Sequence, residues 1–99
     1  MRENKNMIAI HNHPNSMPPS DKDINACLQN KYKYGLIIGH NGNIFKYSTK
    51  KMKEPINERE YLIAVEKFTK MCYNDKYMGQ IKALEHLSEI YNFEFKELV

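Results

Sequence analysis

The strongest constraint on the fold is the segment of residues 7–23, which joins an apolar run to a helix start through a proline-containing turn. Residues 7–10 are all apolar, and such a short run is typical of a buried strand. Two adjacent prolines interrupt the chain. Ser20 and Asp23 then form a Ser-x-x-Asp pattern, in which the hydroxyl and an acidic residue of the first turn favour a helix N-terminus. The segment therefore predicts a strand, a loop and a capped helix.

Three candidate metal ligands lie in the same segment. Side chains two residues apart on a strand point to one face, so His11 and His13 would project together if the strand continues through them. The turn would return Asp23 to that face as a third ligand. Zinc in catalytic sites takes three protein ligands and keeps its fourth position for water. The sequence thus predicts Zn²⁺ at His11, His13 and Asp23.

Each part of this pattern is weak when taken alone. Pairs such as His11 and His13 occur by chance on surface strands, and a Ser-x-x-Asp pattern is more often a helix cap than a site. The prediction rests on the conjunction of the apolar strand, the paired histidines followed by Pro14, the short loop, Ser20 and Asp23. The cap and the metal site are compatible, because a capped helix start is a rigid place from which to aim Asp23.

The pattern His11-x-His13-Pro14, a short spacer and Ser20-x-x-Asp23 resembles the motif of the JAMM metallopeptidases, also called JAB or MPN. Its form is most similar to the bacterial and phage branches, which include RadC-like proteins. The resemblance implies that the two histidines and the aspartate bind zinc and that Ser20 is a catalytic residue stabilising the oxyanion. It also implies a zinc metallopeptidase or isopeptidase, in which metal-activated water hydrolyses an amide bond of a peptide or protein substrate.

The chain departs from the family pattern ahead of the motif. The family's general base is a glutamate that normally lies a few dozen residues upstream. Here ten residues precede His11, and Glu3 is the one carboxylate among them, too close in sequence for that role. Three interpretations stay open: the chain is the C-terminal part of a longer domain, the base comes from elsewhere, or the site binds metal without efficient catalysis.

Two other classes of function are consistent with the sequence. The first is a catalytically degenerate JAMM-like module of a phage or mobile-element protein, which binds zinc or a partner. The second is a RadC-like protein associated with nucleic acid. The net charge of +3 is mild and the lysines are mostly scattered. Since no stripe of basic and aromatic residues supports the second class, we expect no nucleic-acid partner.

The order of the remaining patterns predicts a small α/β fold. A helix over residues 21–30 is followed by strands over 34–39 and 44–47, joined by Asn41-Gly42, a strong hairpin signal. This order resembles the second half of the JAMM fold, which is cytidine-deaminase-like. We expect a small mixed β-sheet with flanking helices as a metal-site core over residues 1–50. A C-terminal helical hairpin over 51–99 is expected to pack on it as one compact domain.

The helical hairpin is predicted from apolar residues at helical spacing. Its first helix runs from a cap at Asn57 to about Tyr73, and its second runs over about residues 76–91. Phe93 and Phe95 alternate with charged residues and indicate either a short strand or packing on the sheet. The expected core faces are Tyr61, Leu62, Val65, Phe68 and Cys72 in the first helix and Tyr77, Ile81, Leu84, Leu87 or Ser88, and Tyr91 in the second.

Partners and location are predicted from absences and from the sheet edge. No apolar stretch approaches membrane-spanning length, and no secretory signal pattern is visible. Cys27 and Cys72 are expected to be reduced core residues of a cytoplasmic protein. An exposed sheet edge favours pairing with another chain, either in a homodimer or with a partner that completes the sheet. His40 and His86 do not fit the motif and are expected outside the site.

Overall fold

The computed structural model describes residues 6–99 and has a mixed sheet of four strands with three helices. Glu3 lies outside the described residues. In chain order the elements are β1 (Ile8–His13), α1 (Asp21–Asn30), β2 (Tyr34–Gly39), β3 (Ile44–Ser48), α2 (Glu58–Met71), α3 (Lys76–Tyr91) and β4 (Glu94–Glu97).

The strands lie in the order β1-β2-β3-β4, with β1 parallel to β2 and the other neighbours antiparallel. The helix α1 makes the crossover between the two parallel strands, as a parallel pair requires. The small mixed sheet, the flanking helices and the C-terminal helical hairpin of α2 and α3 confirm the coarse fold predicted from the sequence.

Short-range signals define the start of α1 and the turn between β2 and β3. Ser20 caps α1 in a capping box with Asp23, and Lys31 ends the helix in a left-handed conformation. Gly42, in the Asn-Gly turn, has a φ of +89°, which glycine adopts without a steric penalty. These local choices set the register in which β2 and β3 pair.

The hydrophobic core lies between one face of the sheet and the helices. Ile37, Phe45 and Tyr47 project from this face and are fully buried. They cluster with Ile24 and Cys27 of α1 and with the buried residues of the hairpin. The hairpin residues in this cluster are Tyr61, Ala64, Ala83, Leu84, Leu87 and Tyr91.

The buried faces of the hairpin include most of the predicted residues, among them Tyr61, Leu84, Leu87 and Tyr91, but the prediction was wrong at Leu62 and omitted the small residues. Leu62 is 56% exposed, and the buried residues of α2 are Tyr61 and Ala64. In α3 the buried face shifts toward Gly79 and Ala83. The reason is close packing of the helices: a Cβ on Gly79 would lie 2.5 Å from the Cα of Thr69. Small residues therefore form the contact between α2 and α3. A prediction based on large apolar residues does not identify them.

Two further sequence predictions concern the cysteines and membranes. Cys27 is buried and Cys72 is partly buried, and both thiols are free. None of the helices within residues 6–99 combines the length and the apolar character that crossing a membrane requires.

Candidate metal centre

The strand β1 continues through both histidines of the motif. His11 pairs opposite Ile37 and His13 opposite Gly39, so the two histidines lie on the sheet face that carries the core. The helix α1 begins after the loop of residues 14–20 and places Asp23 in its first turn. The parallel crossover thus returns the aspartate to the end of β1, as the sequence predicts.

His13 and Asp23 are in contact. The distance from His13 Nε2 to Asp23 Oδ2 is 3.3 Å, and the two side chains are 21% and 15% exposed. The other ring nitrogen, His13 Nδ1, lies 3.0 Å from the carbonyl oxygen of Met17. A hydrogen bond in which the imidazole donates to a backbone carbonyl is the usual way in which a metal-binding histidine is oriented.

These two contacts set an electrostatic condition on the imidazole of His13. A carbonyl oxygen only accepts, so the hydrogen bond to Met17 requires a proton on Nδ1. In a neutral ring Nε2 then carries a lone pair, and this lone pair would face the Asp23 carboxylate. Two acceptors at this distance repel unless a positive charge lies between them. The arrangement therefore suits either a doubly protonated imidazole or a bound cation.

The spacing also fits zinc. Ligand atoms that each lie about 2.0–2.1 Å from a tetrahedral zinc ion are about 3.3 Å from one another. The separation of His13 Nε2 from Asp23 Oδ2 is 3.3 Å. An imidazole nitrogen and a carboxylate oxygen are ligand types that zinc accepts. Both residues thus fit two corners of such a site.

His11 is not brought into this pair. Its side chain is exposed on β1. Among residues 6–99, no group of three or more His, Cys, Asp and Glu side chains is arranged to hold a metal ion. Of the three predicted ligands the structure therefore joins His13 and Asp23, and zinc binding stays a prediction.

Ser20 contacts Asp23 in two directions. Its backbone N–H and its hydroxyl donate to Asp23 Oδ2 over 2.9 and 3.2 Å, and its Oγ lies 3.3 Å from the Asp23 backbone nitrogen, which donates to it. These are the contacts of a helix cap. They also fix the carboxylate that faces His13, so the capping role and the site role fall on the same atoms.

Two side chains that the sequence did not suggest hold the loop of residues 14–20. Gln80 of α3 donates from Nε2 to the carbonyl oxygens of Pro18 and Pro19, over 3.1 and 3.0 Å. Asn43, beyond the hairpin turn, donates from Nδ2 to the carbonyl oxygen of Ser16 over 3.2 Å. Ser16 has a left-handed φ of 57°. The loop is therefore held from both the hairpin turn and α3.

His13 lies between two open cavities. The larger is a groove of about 540 Å³, which is also bordered by Ser20, Tyr61 and Gln80. Its remaining lining residues are Pro14, Asn15, Met17 and Pro18. The smaller, of about 180 Å³, lies toward β2 and is bordered by His40. The described lining of these two cavities includes no glutamate.

The surroundings of Asp23 disfavour further negative charge. Burial raises the pKa of the Tyr47 phenol, and the charge of Asp23 raises it further. Burial likewise raises the pKa of Tyr61, with added contributions from Asp21 and Asp23. Burial, opposed by a backbone hydrogen bond and supported by the charge of Glu58, raises the pKa of the Asp21 carboxyl. Both phenols therefore stay neutral at physiological pH.

The other histidines lie apart from the pair. His40 is exposed in the turn after β2, although it borders the smaller cavity. His86 is exposed on α3, where its ring lies 5.5 Å from that of Phe68. Their positions agree with the expectation that neither joins His13 and Asp23.

No family model, curated protein or solved structure matches this chain. The resemblance of residues 11–23 to a metallopeptidase motif therefore rests on the motif residues themselves. The geometry around His13 and Asp23 is the structural observation that bears on it.

Proposed function

We propose that this chain carries a JAMM-like zinc site and that the site hydrolyses an amide or isopeptide bond of a peptide or protein. The observation that carries the proposal is the facing of His13 Nε2 and Asp23 Oδ2 at 3.3 Å, with Nδ1 held by the carbonyl of Met17. That arrangement directs an imidazole lone pair and a carboxylate oxygen toward one point, where a cation offsets their repulsion.

The proposed ligands are His11, His13 and Asp23. His11 lies on the same face of β1, two residues before His13, and is the third ligand that the motif implies. These residues would hold the zinc ion, which would supply an activated water, with its pKa lowered toward about 7, and a Lewis acid for a substrate carbonyl. The hydrogen bond from His13 to Met17 holds the imidazole in the tautomer that leaves Nε2 free to bind.

Ser20 would stabilise the negative charge that develops on the substrate oxygen. Its hydroxyl donates to Asp23 Oδ2 over 3.2 Å and at the same time accepts from the Asp23 backbone N–H. Rotation of the hydroxyl hydrogen frees the donor for a substrate oxygen while the cap remains. One donor of this kind is worth about 3 kcal/mol in the transition state.

The groove beside His13 suits a polypeptide substrate. It is open, measures about 540 Å³, and passes both His13 and Ser20. Pro14, Met17 and Pro18 give it apolar walls, and the neutral phenol of Tyr61 lies at its edge. Apolar walls with few polar groups are typical of ligand grooves.

A specific observation also favours a second candidate function, a zinc-binding module without efficient hydrolysis. The described residues that line the two cavities beside His13 include no glutamate that could take a proton from water. Loss of a general base lowers a hydrolysis rate by a factor on the order of 100 to 10,000. Zinc binding without turnover would distinguish this module from the enzyme.

The first test is the zinc content of untagged protein, measured by elemental analysis after zinc loading and dialysis. We expect about one zinc per chain in the wild type, as in mononuclear sites. His13→Ala and Asp23→Ala should each lose it, because each removes one of the two facing ligand atoms. His11→Ala measures whether the third ligand of the motif takes part.

His86→Ala is the matched control, since it removes an exposed histidine that lies outside the site. It should retain zinc. Circular dichroism would verify that all four variants are folded. A wild type that binds no zinc, or zinc retained by both His13→Ala and Asp23→Ala, would refute the metal site.

Hydrolysis is tested with a library of quenched fluorescent peptides and the zinc-loaded chain. Ser20→Ala should lower kcat by about 100-fold and retain the zinc, because the backbone N–H of residue 20 still holds Asp23 Oδ2. Asn57→Ala is its control, because Asn57 caps α2 in the same way, through the Glu60 N–H, but does not line the groove. Bound zinc without cleavage of any peptide would favour the non-catalytic module.

A further inference from the structure

None of the helices within residues 6–99 contributes to a buried core on the second face of the sheet. Strand alternation and register place three rows of side chains on it, which together we call the open face. None of its residues belongs to the buried core cluster. Row A is Ile8, Tyr34, Ser48 and Glu94, row B is Ile10, Leu36, Lys46 and Lys96, and row C is Asn12, Ile38 and Ile44, with Leu98 beside Ile44.

The open face is apolar where it crosses β1 and β2. Ile10 is 60% exposed, Ile8 39% and Ile38 37%, whereas Ile37, between them on the other face, is fully buried. All-parallel sheets are covered on both faces, and β1 and β2 are the parallel pair of this mixed sheet. Clustered aliphatic side chains of this kind on a surface mark a docking site.

The charges of the open face are arranged to complement themselves. Glu94 and Lys96 lie two residues apart on the same face of β4. A two-fold axis that runs across the strands between row A and row B would bring Glu94 of one copy over Lys96 of the other. The same axis stacks Ile8 on Ile10 of the second copy, so apolar residues meet apolar ones.

We propose that the occupant of the open face is a second copy of this chain, packed face to face about that two-fold axis. An isologous interface requires one patch that complements itself, and the pairing of row A with row B provides this. Sheets that pack face to face stand about 10 Å apart with interdigitating side chains. The dimer would be two sheets at the centre with the helices outside.

The size of the face sets the expected affinity. An axis between row A and row B superposes these two rows of each copy, so four strands spaced at about 4.8 Å over about 14 Å of strand length give a flat footprint of roughly 270 Å² per copy. Side-chain relief enlarges the accessible area, but the pair stays below about 1,200 Å² in total, in the range of weak and transient interfaces. We therefore expect a reversible dimer with a dissociation constant in the micromolar range.

Analytical ultracentrifugation of the full chain across a thousandfold concentration series tests the dimer. Ile10→Lys should raise the dissociation constant by at least about 100-fold, because it inserts two charges, one from each copy, into the apolar part of the interface. Ile63→Lys is the matched control, since Ile63 is 58% exposed on α2, away from the open face. It should leave the dimer intact.

A second test exchanges the charges at positions 94 and 96, so the result does not depend on whether Ile10→Lys folds correctly. Glu94→Lys and Lys96→Glu should each weaken the dimer by about 10-fold, because like charges would face across the axis. The double variant with both changes should restore wild-type association.

Three results would overturn the proposal. They are a wild type that stays monomeric throughout the series, a dimer that Ile10→Lys and Ile63→Lys affect equally, and single charge variants that the double variant fails to rescue. Zinc content reports on a different part of the molecule, so failure of this proposal is distinguishable from failure of the metal site.

Discussion

The βαββ half of the molecule, over residues 8–48, and the helical hairpin, over 58–91, are held together by different kinds of contact. In the hairpin, Gly79 lets α3 approach the backbone of α2 at Thr69, and Ala83 is fully buried. At the site, the contacts are polar and short in range: His13 with Asp23, and Asp23 with Ser20. The contact between α2 and α3 therefore depends on shape, whereas the contacts at the site depend on hydrogen bonds.

The site obtains part of its rigidity from the helical hairpin. The edge strand β1 has exposed residues along its length, and the loop that follows β1 has two carbonyls satisfied by Gln80 of α3. Tyr61 of α2 borders the groove next to His13. The hairpin therefore supports the loop between the proposed ligands, although it supplies no proposed ligand itself.

The largest expected effect comes from the hairpin. Gly79→Ala would place a Cβ 2.5 Å from the Cα and 2.7 Å from the backbone nitrogen of Thr69, and backbone atoms cannot rotate away. Overpacking costs up to about 3 kcal/mol, and the better helix propensity of alanine returns about 1 kcal/mol. We expect a net loss of about 2 kcal/mol in the free energy of unfolding, measured by urea denaturation.

Gly42→Ala is the control for the effect of removing a glycine as such. Gly42 has no atom within 4 Å of its would-be Cβ, but its φ is +89°. Backbone strain alone should cost about 1 kcal/mol. A Gly79→Ala variant as stable as the wild type would show that α2 and α3 are not closely packed at Thr69. The hairpin would then not depend on shape in the way that distinguishes it from the site.

A smaller effect tests the link between the regions. Gln80→Ala leaves the carbonyls of Pro18 and Pro19, both buried residues, without their side-chain donor. We expect a loss of about 1 kcal/mol in stability and weaker zinc binding, because the loop positions Met17 and Ser20. Gln29→Ala, an exposed glutamine on α1, should change neither property. Unchanged zinc affinity in Gln80→Ala would mean that the site is rigid without the hairpin.

The fold was predictable from sequence wherever the signals are local. The predicted bounds of α1, β2 and α3 agree with the structure, because caps, apolar runs and the Asn-Gly turn act over a few residues. The end of α2 was predicted near Tyr73 but lies at Met71, and Tyr73 is 97% exposed. Apolar character alone overextended this helix and also misplaced Leu62, since small residues decide the contact between the helices.

The site was predictable in part for the same reason. The contact of His13 with Asp23 and the cap at Ser20 follow from a strand, a turn and a helix start that are close in sequence. The roles of Gln80 and Asn43 were not predictable, because their partners in the loop lie more than twenty residues away. A glutamine on a predicted amphipathic helix looks like any other polar residue, so the sequence does not indicate which loop it contacts.

The smallest effect compares the acidic residues that begin α1 and α2. Asp21 is 6% exposed, and burial and the charge of Glu58 raise its pKa, whereas Glu58 is itself exposed. A carboxyl whose pKa is higher in the native than in the unfolded state destabilises the native state when it is ionised. Asp21→Asn should therefore raise Tm at neutral pH by roughly 1–3 °C, a few tenths of a kcal/mol.

The sharper measurement is the pH dependence of the difference in Tm between the wild type and Asp21→Asn. As pH falls from neutral toward the ordinary aspartate value of 3.8, the native state takes up its proton at Asp21 before the unfolded state does. The wild type therefore gains stability relative to Asp21→Asn, and the difference in Tm should narrow over that interval. A difference in Tm that is constant with pH would mean that the Asp21 carboxylate is solvated in the native state. Water would then reach the contact between α1 and α2 more freely than the burial of Asp21 indicates.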